Sequence, residues 1–137
     1  MAEQLSIRAR QVDYTDVDFS FRVNPATNGL LLKRGEEAVK QSVLNILLTA
    51  RGEKPFQPTF GTRLRDLLFE PFDAALAAVI EEDIRVTLEN FEPRIRVRDV
   101  TINDQPDRNA LQVTVFGEIV SPEPAEIQIQ FIVERLR

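Results

Sequence analysis

The sequence predicts an α+β fold with a helical middle flanked by extended segments. Apolar residues recur at three- and four-residue steps through residues 36–50 and 74–91, the period of a helix with one buried face. They alternate at a period of two before residue 24 and after residue 94, as in half-buried strands. We therefore expect two main helices and a short linking helix, with an antiparallel sheet made from N-terminal and C-terminal strands.

The first extended segment is "VDYTDVDFSFRV". Its alternating apolar residues are Val17, Phe19, Phe21 and Val23. The turn sequence "NPATNG" and the apolar run "LLLK" follow, so we expect a hairpin with a short returning strand. Few apolar side chains precede residue 17, and a chain of 137 residues fits one domain. The predicted organisation is an N-terminal arm, residues 1–16, and a single domain, residues 17–137.

Helical periodicity begins at Glu36. The predicted buried stripe of the first helix is Ala38, Val39, Val43, Ile46, Leu47 and Ala50. Gly52 follows at the position of a C-terminal cap. Pro71 precedes the second helix, where its fixed φ favours a helix start. The second stripe is Leu76, Val79, Ile80, Asp83, Ile84, Leu88 and Phe91, in which Asp83 is the polar exception.

Strand-like sequence resumes after Pro93. In "RIRVRDVTI", Ile95 lies out of phase with Val100, which predicts a β-bulge or a bend near Arg98 and Asp99. The segments "ALQVTVFGEIV" and "AEIQIQFIVERL" alternate regularly and are separated by turns. We expect a three-stranded antiparallel unit whose last strand leaves an open sheet edge.

Composition excludes several classes of function. The absence of cysteine and histidine removes disulfides, thiolate metal sites, the commonest zinc ligand and the usual base that activates a serine. The net charge of −5 argues against nucleic acid, because a phosphate backbone requires a basic face. No apolar run is long enough to span a bilayer, and the first residues lack the apolar core of a signal peptide. We expect no membrane contact and a protein made and kept in a cytoplasm.

Carboxylates are the remaining candidates for catalysis or metal binding. The available glutamates include Glu53, Glu70, Glu81, Glu82 and Glu92. Any acidic protein contains such pairs by chance, and most are solvated surface groups, so we expect no enzyme. The run "EED" at 81–83 lies on a helix, where adjacent side chains diverge. "NDQPD" at 103–107 is an ordinary hairpin turn without the spacing of a calcium loop, so we expect no metal and no cofactor.

The segment "FEPRIRV" at 91–97 predicts a rigid helix-to-strand junction. Pro93 cannot continue a helix and biases Glu92 towards extended backbone. Two interpretations of the roles of Glu92 and Arg94 are equally consistent with the sequence. Side chains on so restricted a backbone bind a partner at low entropic cost, and arginine is common among interface hot spots. Alternatively, the two residues pair with each other and only stiffen the junction.

The connection between the helices, "TARGEKPFQPTFGTRLRDLLFEPF" at 49–72, is constrained and rich in phenylalanine; we call it the bracket. Its prolines restrict the residues before them, and Gly61 permits a backbone conformation closed to other residues. Four exposed phenylalanines would form an aggregation-prone patch, so each must be buried against this domain or against a partner. We expect Phe69 and Phe72 to point inward and Phe56 to point outward.

Two motifs resemble the signature of the small baseplate wedge proteins of contractile phage tails, a family that includes components of type VI secretion and pyocin-like baseplates. The first is "LLTARGEKPFQPTFGTRLRDLLFEP", a helix end followed by Gly-Glu-basic, Pro-x-Phe-Gly and Phe-Glu-Pro. The second is "EPR" at 92–94, after the second helix. The resemblance extends from about residue 18 to the C-terminus.

The resemblance implies a structural role. Domains of this family dock through the Glu-Pro-Arg corner onto a helical core formed by larger wedge proteins, which assigns Glu92, Pro93 and Arg94 to wedge binding. Six residues match the first motif and are assigned to shaping the bracket: Arg51, Gly52, Glu53, Pro58, Phe60 and Gly61. Lys54 stands where the family often has arginine, which keeps the charge but loses bidentate geometry.

The resemblance also implies that the domain initiates tail sheath polymerisation by strand exchange. The strand expected to face the sheath carries Ile127, Ile129, Phe131 and Val133. A long alternating edge strand without proline recruits other strands, although the same strand fully paired inside the domain is the alternative. Implied partners are the larger wedge proteins, the sheath protein, and hub or spike proteins. The implied location is the virion tail baseplate, assembled in the host bacterial cytoplasm.

The family has also carried a lysozyme label, so a cell-wall-degrading glycoside hydrolase of the tail is the alternative function. No distinctive pair of acid and nucleophile stands out in the sequence. An arginine beside Glu92 lowers the pKa of that carboxyl group, whereas a general acid needs a raised pKa.

Overall fold

The computed structural model describes residues 14–135, and most of the predicted N-terminal arm lies outside that range. The elements in chain order are β1 (Thr15–Val17), β2 (Leu32–Arg34), α1 (Glu36–Leu48), α2 (Leu64–Leu67), α3 (Ala74–Phe91), β3 (Ile95–Gln105), β4 (Ala110–Ile119) and β5 (Ala125–Glu134). A 3₁₀ turn, Pro106–Arg108, joins β3 to β4. The α+β class is confirmed, with α1 and α3 as the main helices and α2 as the linking helix.

The strands form two antiparallel sheets rather than one. β1 pairs with β2, and β3, β4 and β5 form a separate sheet in that order. The prediction of one sheet from N-terminal and C-terminal strands is therefore wrong. The three C-terminal strands complete a sheet by consecutive hairpins, while the N-terminal hairpin lies against α1. There the side-chain amide of Gln41 donates to the Val17 carbonyl at 2.6 Å.

The N-terminal hairpin is more exposed than its alternation predicts. β1 ends at Val17, and Phe21 has a positive φ of 50°, so the strand does not run on to Val23. Phe19, Phe21 and Val23 are all exposed. The predicted turn is confirmed, with the Asn24 N–H bonded to the Gly29 carbonyl at 2.7 Å. Alternation suits a strand with one covered face, but within residues 14–135 no second layer packs over this part of the ribbon.

The helix α1 buries most of the predicted stripe: Ala38, Val39, Val43, Ile46 and Leu47. It ends at Leu48, and both the N–H and the hydroxyl of Thr49 bond to the Asn45 carbonyl, at 3.1 and 2.6 Å. The prediction of Gly52 as the cap is wrong. Thr49 already ends the helix, and Gly52 lies three residues later, in the turn that follows it.

The helix α3 begins after Asp73 rather than at Pro71. The Asp73 carboxylate accepts the Leu76 N–H at 2.7 Å, which satisfies a free donor of the first turn. The buried apolar residues are Leu76, Ile80, Ile84 and Leu88, as predicted. Val79 instead faces solvent, half exposed. None of the helices within residues 14–135 combines the length and apolar content that crossing a membrane requires.

The three-stranded sheet contains the predicted bulge. The pairing of β3 with β4 shifts between Val97 and Asp99, so Ile95 and Val100 both face the core although they are out of phase in the sequence. β4 and β5 pair without a shift. The inner row of the sheet completes the core against α1 and α3: Ile95, Val100, Ile102, Leu111, Val113, Val115, Ile119, Ile127 and Ile129.

Candidate functional site

The predicted Glu-Pro-Arg corner (residues 92–94; the corner) joins the end of α3 to the start of β3. Glu92 closes the helix, its N–H bonded to the Leu88 carbonyl at 2.9 Å. Pro93 has no N–H with which to extend the helix. The carbonyl of Arg94 accepts the Val120 N–H at 2.8 Å. The backbone of the corner is thus held by the end of the neighbouring strand as well as by the helix.

Glu92 and Arg94 form a bidentate ion pair. Nε of Arg94 lies 2.7 Å from Oε1 of Glu92, and Nη2 lies 2.9 Å from Oε2. The Ser42 hydroxyl, on α1, donates to the same Oε2. The Glu92 side chain is only 2% exposed, whereas that of Arg94 is 23% exposed. The carboxylate is therefore occupied within the domain, and Arg94 is the part of the pair that another molecule can reach.

The ion pair keeps both groups charged. Burial acts to raise the pKa of Glu92, but hydrogen bonds from Arg94 and Ser42 and the arginine charge outweigh it and leave the pKa below its usual value. The hydrogen bond to Glu92 is the main cause that raises the pKa of Arg94. A carboxylate held ionised in this way is suited to orienting a cation and unsuited to donating a proton.

Tyr14 covers the corner from the N-terminal side. The guanidinium carbon of Arg94 lies 5.5 Å from the centre of the Tyr14 ring, and the Tyr14 hydroxyl donates to the Val120 carbonyl at 2.7 Å. Neither Tyr14 nor Ser42 was predicted from the sequence. Ser42 follows Val39 by three residues on α1, so helical spacing was a usable signal for it. For Tyr14, which precedes β1 and lies 80 residues from Arg94, the sequence held no such signal.

Of the two interpretations of the corner, the internal ion pair is present. Docking of a partner on residues 92–94 stays a prediction. Because Glu92 is buried, its predicted role changes from a contact residue to the group that holds Arg94 in place. Pro93 is exposed at the junction.

The bracket folds back on the end of α1 through backbone hydrogen bonds. The Thr62 N–H bonds to the Thr49 carbonyl at 2.9 Å, and the Arg51 N–H bonds to the Thr62 carbonyl at 3.2 Å. Further out, the Gly52 N–H bonds to the Pro58 carbonyl at 3.1 Å. These bonds close the base of a loop whose tip is residues 53–57.

Gly61 is the tightest point of the bracket. Its φ is +102°, and a Cβ atom there would lie 2.4 Å from the carbonyl oxygen of Thr49. Gly52 also has a positive φ, +81°, but nothing lies within 4 Å of its Cβ position. Gly61 is therefore required by both conformation and space, whereas Gly52 is required by conformation alone.

Asp83 fixes the bracket to α3. Its carboxylate accepts Nη2 of Arg51 at 2.9 Å and the N–H of Arg63 at 2.8 Å. The Glu53 carboxylate accepts the Ala50 N–H at 2.9 Å within the bracket itself. The polar exception in the helical stripe is thus an acceptor for two groups that come 32 and 20 residues earlier in the chain.

Phe60 holds the other side of the bracket. Its ring meets the Phe91 ring edge to face, with centroids 5.1 Å apart, and Nζ of Lys54 lies 4.2 Å from its centre. Phe91 is the last residue of α3. The bracket is therefore attached to the residue immediately before the corner.

The other phenylalanines of the bracket differ in exposure. Phe72 packs partly buried against the core and Phe56 is fully exposed, as predicted. Phe69 is 72% exposed, so the prediction that it points inward is wrong. The turn of α2 directs the neighbouring leucines Leu67 and Leu68 into the core, which leaves Phe69 on the outer side.

The predicted sheath-facing strand is β5. Ile127 and Ile129 are buried in the core, and Phe131 and Val133 pack partly against it. These side chains therefore serve the domain's own packing. β5 is an outer strand, and its second edge pairs with no other strand of residues 14–135. The backbone N–H and carbonyl groups along that edge are therefore available to another strand. Strand exchange with a sheath protein stays a prediction.

Acidic residues do not converge on a metal-binding arrangement anywhere in residues 14–135. In "EED", Glu82 is exposed and Asp83 is occupied by Arg51 and Arg63. In "NDQPD", Asp104 forms an ion pair with Arg135 at 3.1 Å.

Comparison with known proteins agrees with this geometry. Residues 33–123 match the family model of baseplate wedge protein gp25. The chain is 32% identical to baseplate wedge protein gp25 of Enterobacteria phage T4 over 114 residues, which cover 82% of this chain and 86% of the phage protein.

Solved structures share the fold. A protein from Geobacter sulfurreducens, provisionally named a tail lysozyme, is 26% identical with a TM-score of 0.64; the match covers 76% of this chain and 96% of that one. A chain in the baseplate of the anti-feeding prophage is 24% identical with a TM-score of 0.63, covering 87% and 85%. The family model and the T4 relative together establish that this chain belongs to the baseplate wedge protein gp25 family.

Proposed function

We propose that this protein is a structural component of a contractile tail baseplate, that it docks on larger wedge proteins through the corner, and that the free edge of β5 initiates sheath polymerisation. Membership of the gp25 family supports the baseplate role. A phage tail component of this kind belongs to the virion, and we propose that it assembles in the host cytoplasm. Contacts with hub or spike proteins stay a prediction.

The docking role is supported chiefly by the state of Arg94. Its guanidinium has five N–H donors, and the bidentate pair with Glu92 uses one on Nε and one on Nη2. The side chain is immobilised by that pair and by the Tyr14 ring, yet it is still partly exposed. A partner that offers carbonyl or carboxylate oxygens would therefore meet a preorganised donor and lose little conformational entropy in binding it.

The sheath role is supported by the orientation of backbone groups along β5. Just beyond the strand, the Arg135 N–H bonds to the Asn109 carbonyl at 2.8 Å, and the β4–β5 pairing continues from there without a shift. N–H direction alternates along a strand, so the even-numbered residues of β5 direct their N–H groups to the free edge. Gln128 and Gln130 are among them, and their side chains are exposed.

The hydrolase alternative has less support. A glycosidase needs one carboxyl group that remains protonated and a second positioned across the scissile bond. Glu92 has a lowered pKa and is enclosed by Arg94 and Ser42. Glu53 accepts a backbone N–H of its own turn. The lysozyme name belongs to the Geobacter protein and carries no residue role to this chain.

The docking test must not leave a buried charge without its counter-ion. Arg94→Ala would leave Glu92 ionised and without its counter-ion, so loss of folding would confuse the result. Arg94→Lys keeps the positive charge and removes the planar fork, while the double variant Glu92→Gln/Arg94→Gln removes both charges together. We expect either change to weaken association with the co-purified larger wedge proteins of the same tail by about 30-fold.

Arg96→Gln is the matched control, because Arg96 is an exposed arginine two residues further along the chain. It should bind the wedge proteins normally. Unchanged binding by both corner variants, measured at a temperature at which circular dichroism shows each variant to be folded, would contradict the docking role.

The sheath role is tested at Gln130. Gln130→Pro removes an N–H from the free edge and leaves the core row of β5 intact, and proline is tolerated where a strand edge faces solvent. We expect wedge binding to persist and sheath assembly on the baseplate to fail, as counted by electron microscopy. Gln130→Ala should assemble sheath normally. Normal sheath assembly on Gln130→Pro baseplates would rule out strand addition at this edge.

A further inference from the structure

Phe56, at the tip of the bracket, is the most exposed large apolar side chain of residues 14–135. Its ring is fully exposed, whereas the next most exposed residues of that kind, Phe69 and Phe21, retain 72% and 66% exposure. An exposed phenyl ring lowers solubility and contributes nothing to the core. Its presence at this position therefore has no explanation in the folding of the domain.

The backbone of Phe56 is also in an unfavourable conformation. Its φ is +63°, in the left-handed region where Cβ of an L-residue crowds the following carbonyl group. Glycine and asparagine adopt this conformation more easily than a bulky aromatic residue does. Both the exposure and the conformation of position 56 thus favour a different residue, which points to a function outside the isolated domain.

The tip that carries Phe56 is rigid. Pro55 and Pro58 restrict it on both sides, and the Gln57 N–H bonds to the Lys54 carbonyl at 3.3 Å. The Gly52 N–H bond to the Pro58 carbonyl closes the loop behind it. The ring is therefore presented in a fixed position, with little entropy left to lose on binding.

The same tip is attached to the end of α3. Phe60 follows four residues after Phe56 and packs its ring against Phe91, the residue before the corner. Movement of the tip relative to the corner is limited by this aromatic contact and by the ion pair of Arg51 with Asp83. A single rigid partner can consequently engage both features in one geometry.

We propose that Phe56 is an anchor that inserts into an apolar socket on the same larger wedge protein that receives Arg94. The socket accommodates one phenyl ring. Its rim carries a carboxylate or carbonyl oxygen, because the nearby Lys54 ammonium faces an aromatic ring and forms no ion pair within residues 14–135. This inference rests on the proposed docking function and adds a second contact point to it.

The test replaces Phe56 with asparagine, which removes the ring and relieves the positive φ. We expect the melting temperature of the isolated protein to rise by about 2 to 4 °C, and association with the co-purified larger wedge proteins to weaken at least 10-fold. Phe56→Gly should behave in the same way. Phe69→Asn is the control, an exposed phenylalanine with ordinary φ, and should change neither quantity.

The outcomes separate this inference from the docking role of the corner. If Arg94→Lys weakens wedge association and Phe56→Asn does not, the anchor is wrong and the corner stands. If Phe56→Asn weakens it and Arg94→Lys does not, the anchor stands and the corner assignment falls. If the wild-type protein alone sediments as a dimer and Phe56→Asn sediments as a monomer, the socket lies on a second copy and the wedge partner is wrong.

Discussion

The corner and the bracket both attach to α3, but different forces hold them. The corner is a local pair of opposite charges two residues apart, buried on the carboxylate side and partly open on the guanidinium side. The bracket is held mainly by backbone hydrogen bonds and by the close approach of Gly61 to Thr49, and its ion pair with α3 spans 32 residues. A buried charge pair responds to pH, whereas backbone packing does not.

The difference distinguishes the residues that shape the domain from those proposed to bind a partner. The motif residues of the bracket make contacts within the domain. Arg51 donates to Asp83, and Glu53 accepts the N–H of Ala50. The corner uses one charge to immobilise another and leaves the second partly exposed. Changes at the motif residues of the bracket should therefore act on stability, whereas changes in the corner should act on stability and binding together.

Gly61→Ala should give the largest loss of stability. The new Cβ would meet the Thr49 carbonyl and also require a strained positive φ, so we expect the free energy of unfolding to fall by about 3 kcal/mol or more. Urea denaturation measures it. Gly52→Ala, which adds only the strained φ in open space, should cost about 1 kcal/mol. Equal losses in the two variants would mean that the backbone contact at Gly61 is unimportant.

Glu92→Gln should lower the free energy of unfolding by about 2 kcal/mol at neutral pH, because it leaves Arg94 without its counter-ion. The pKa of Glu92 is lowered by folding, so its contribution is complete above the ordinary glutamate pKa, about 4.3. It is lost as pH falls through the lower pKa of the folded state. Urea titrations should therefore show the difference between wild type and variant shrinking below about pH 4. A difference that stays constant down to pH 2 would contradict the ion-pair account.

Asp83→Asn should have the smallest effect. The amide oxygen can still accept the Arg63 N–H, and the lost partner Arg51 is partly exposed and solvated. We expect a loss of about 1 kcal/mol in the free energy of unfolding. A double-mutant cycle with Arg51→Ala measures the ion pair itself. A coupling energy above about 2 kcal/mol would show that the bracket depends on charge as much as the corner does.

Local sequence features predicted much of the fold. The spacing of Val39, Val43 and Ile46 indicated the buried face of α1, and the phase change between Ile95 and Val100 indicated the bulge in β3. Both signals depend only on the period of the backbone and on which side chains avoid water. The helix ends were less predictable from Gly52 and Pro71, because the Thr49 hydroxyl donates to a carbonyl at the end of α1 and the Asp73 carboxylate accepts an N–H at the start of α3.

The exposure of side chains between elements was the least predictable property. The alternating pattern predicted that Phe19 and Phe21 lie on the covered face of a strand. They are exposed, because the three C-terminal strands form a separate sheet and do not pack over this hairpin. Phe69 and Phe72 are three residues apart in one segment, and only Phe72 packs against the core. Local spacing carries no information about such distant neighbours.

The sequence by itself determined the helical middle, the bulged C-terminal strands, the rigid junction at Pro93 and the family to which its two motifs belong. These follow from short-range backbone chemistry and residue order. Only the tertiary structure decided that Asp83 receives Arg51 and Arg63, and that Ser42 and Tyr14 complete the corner. Those contacts join residues far apart in the chain, and the packing of α1, α3 and the sheet brings them within reach.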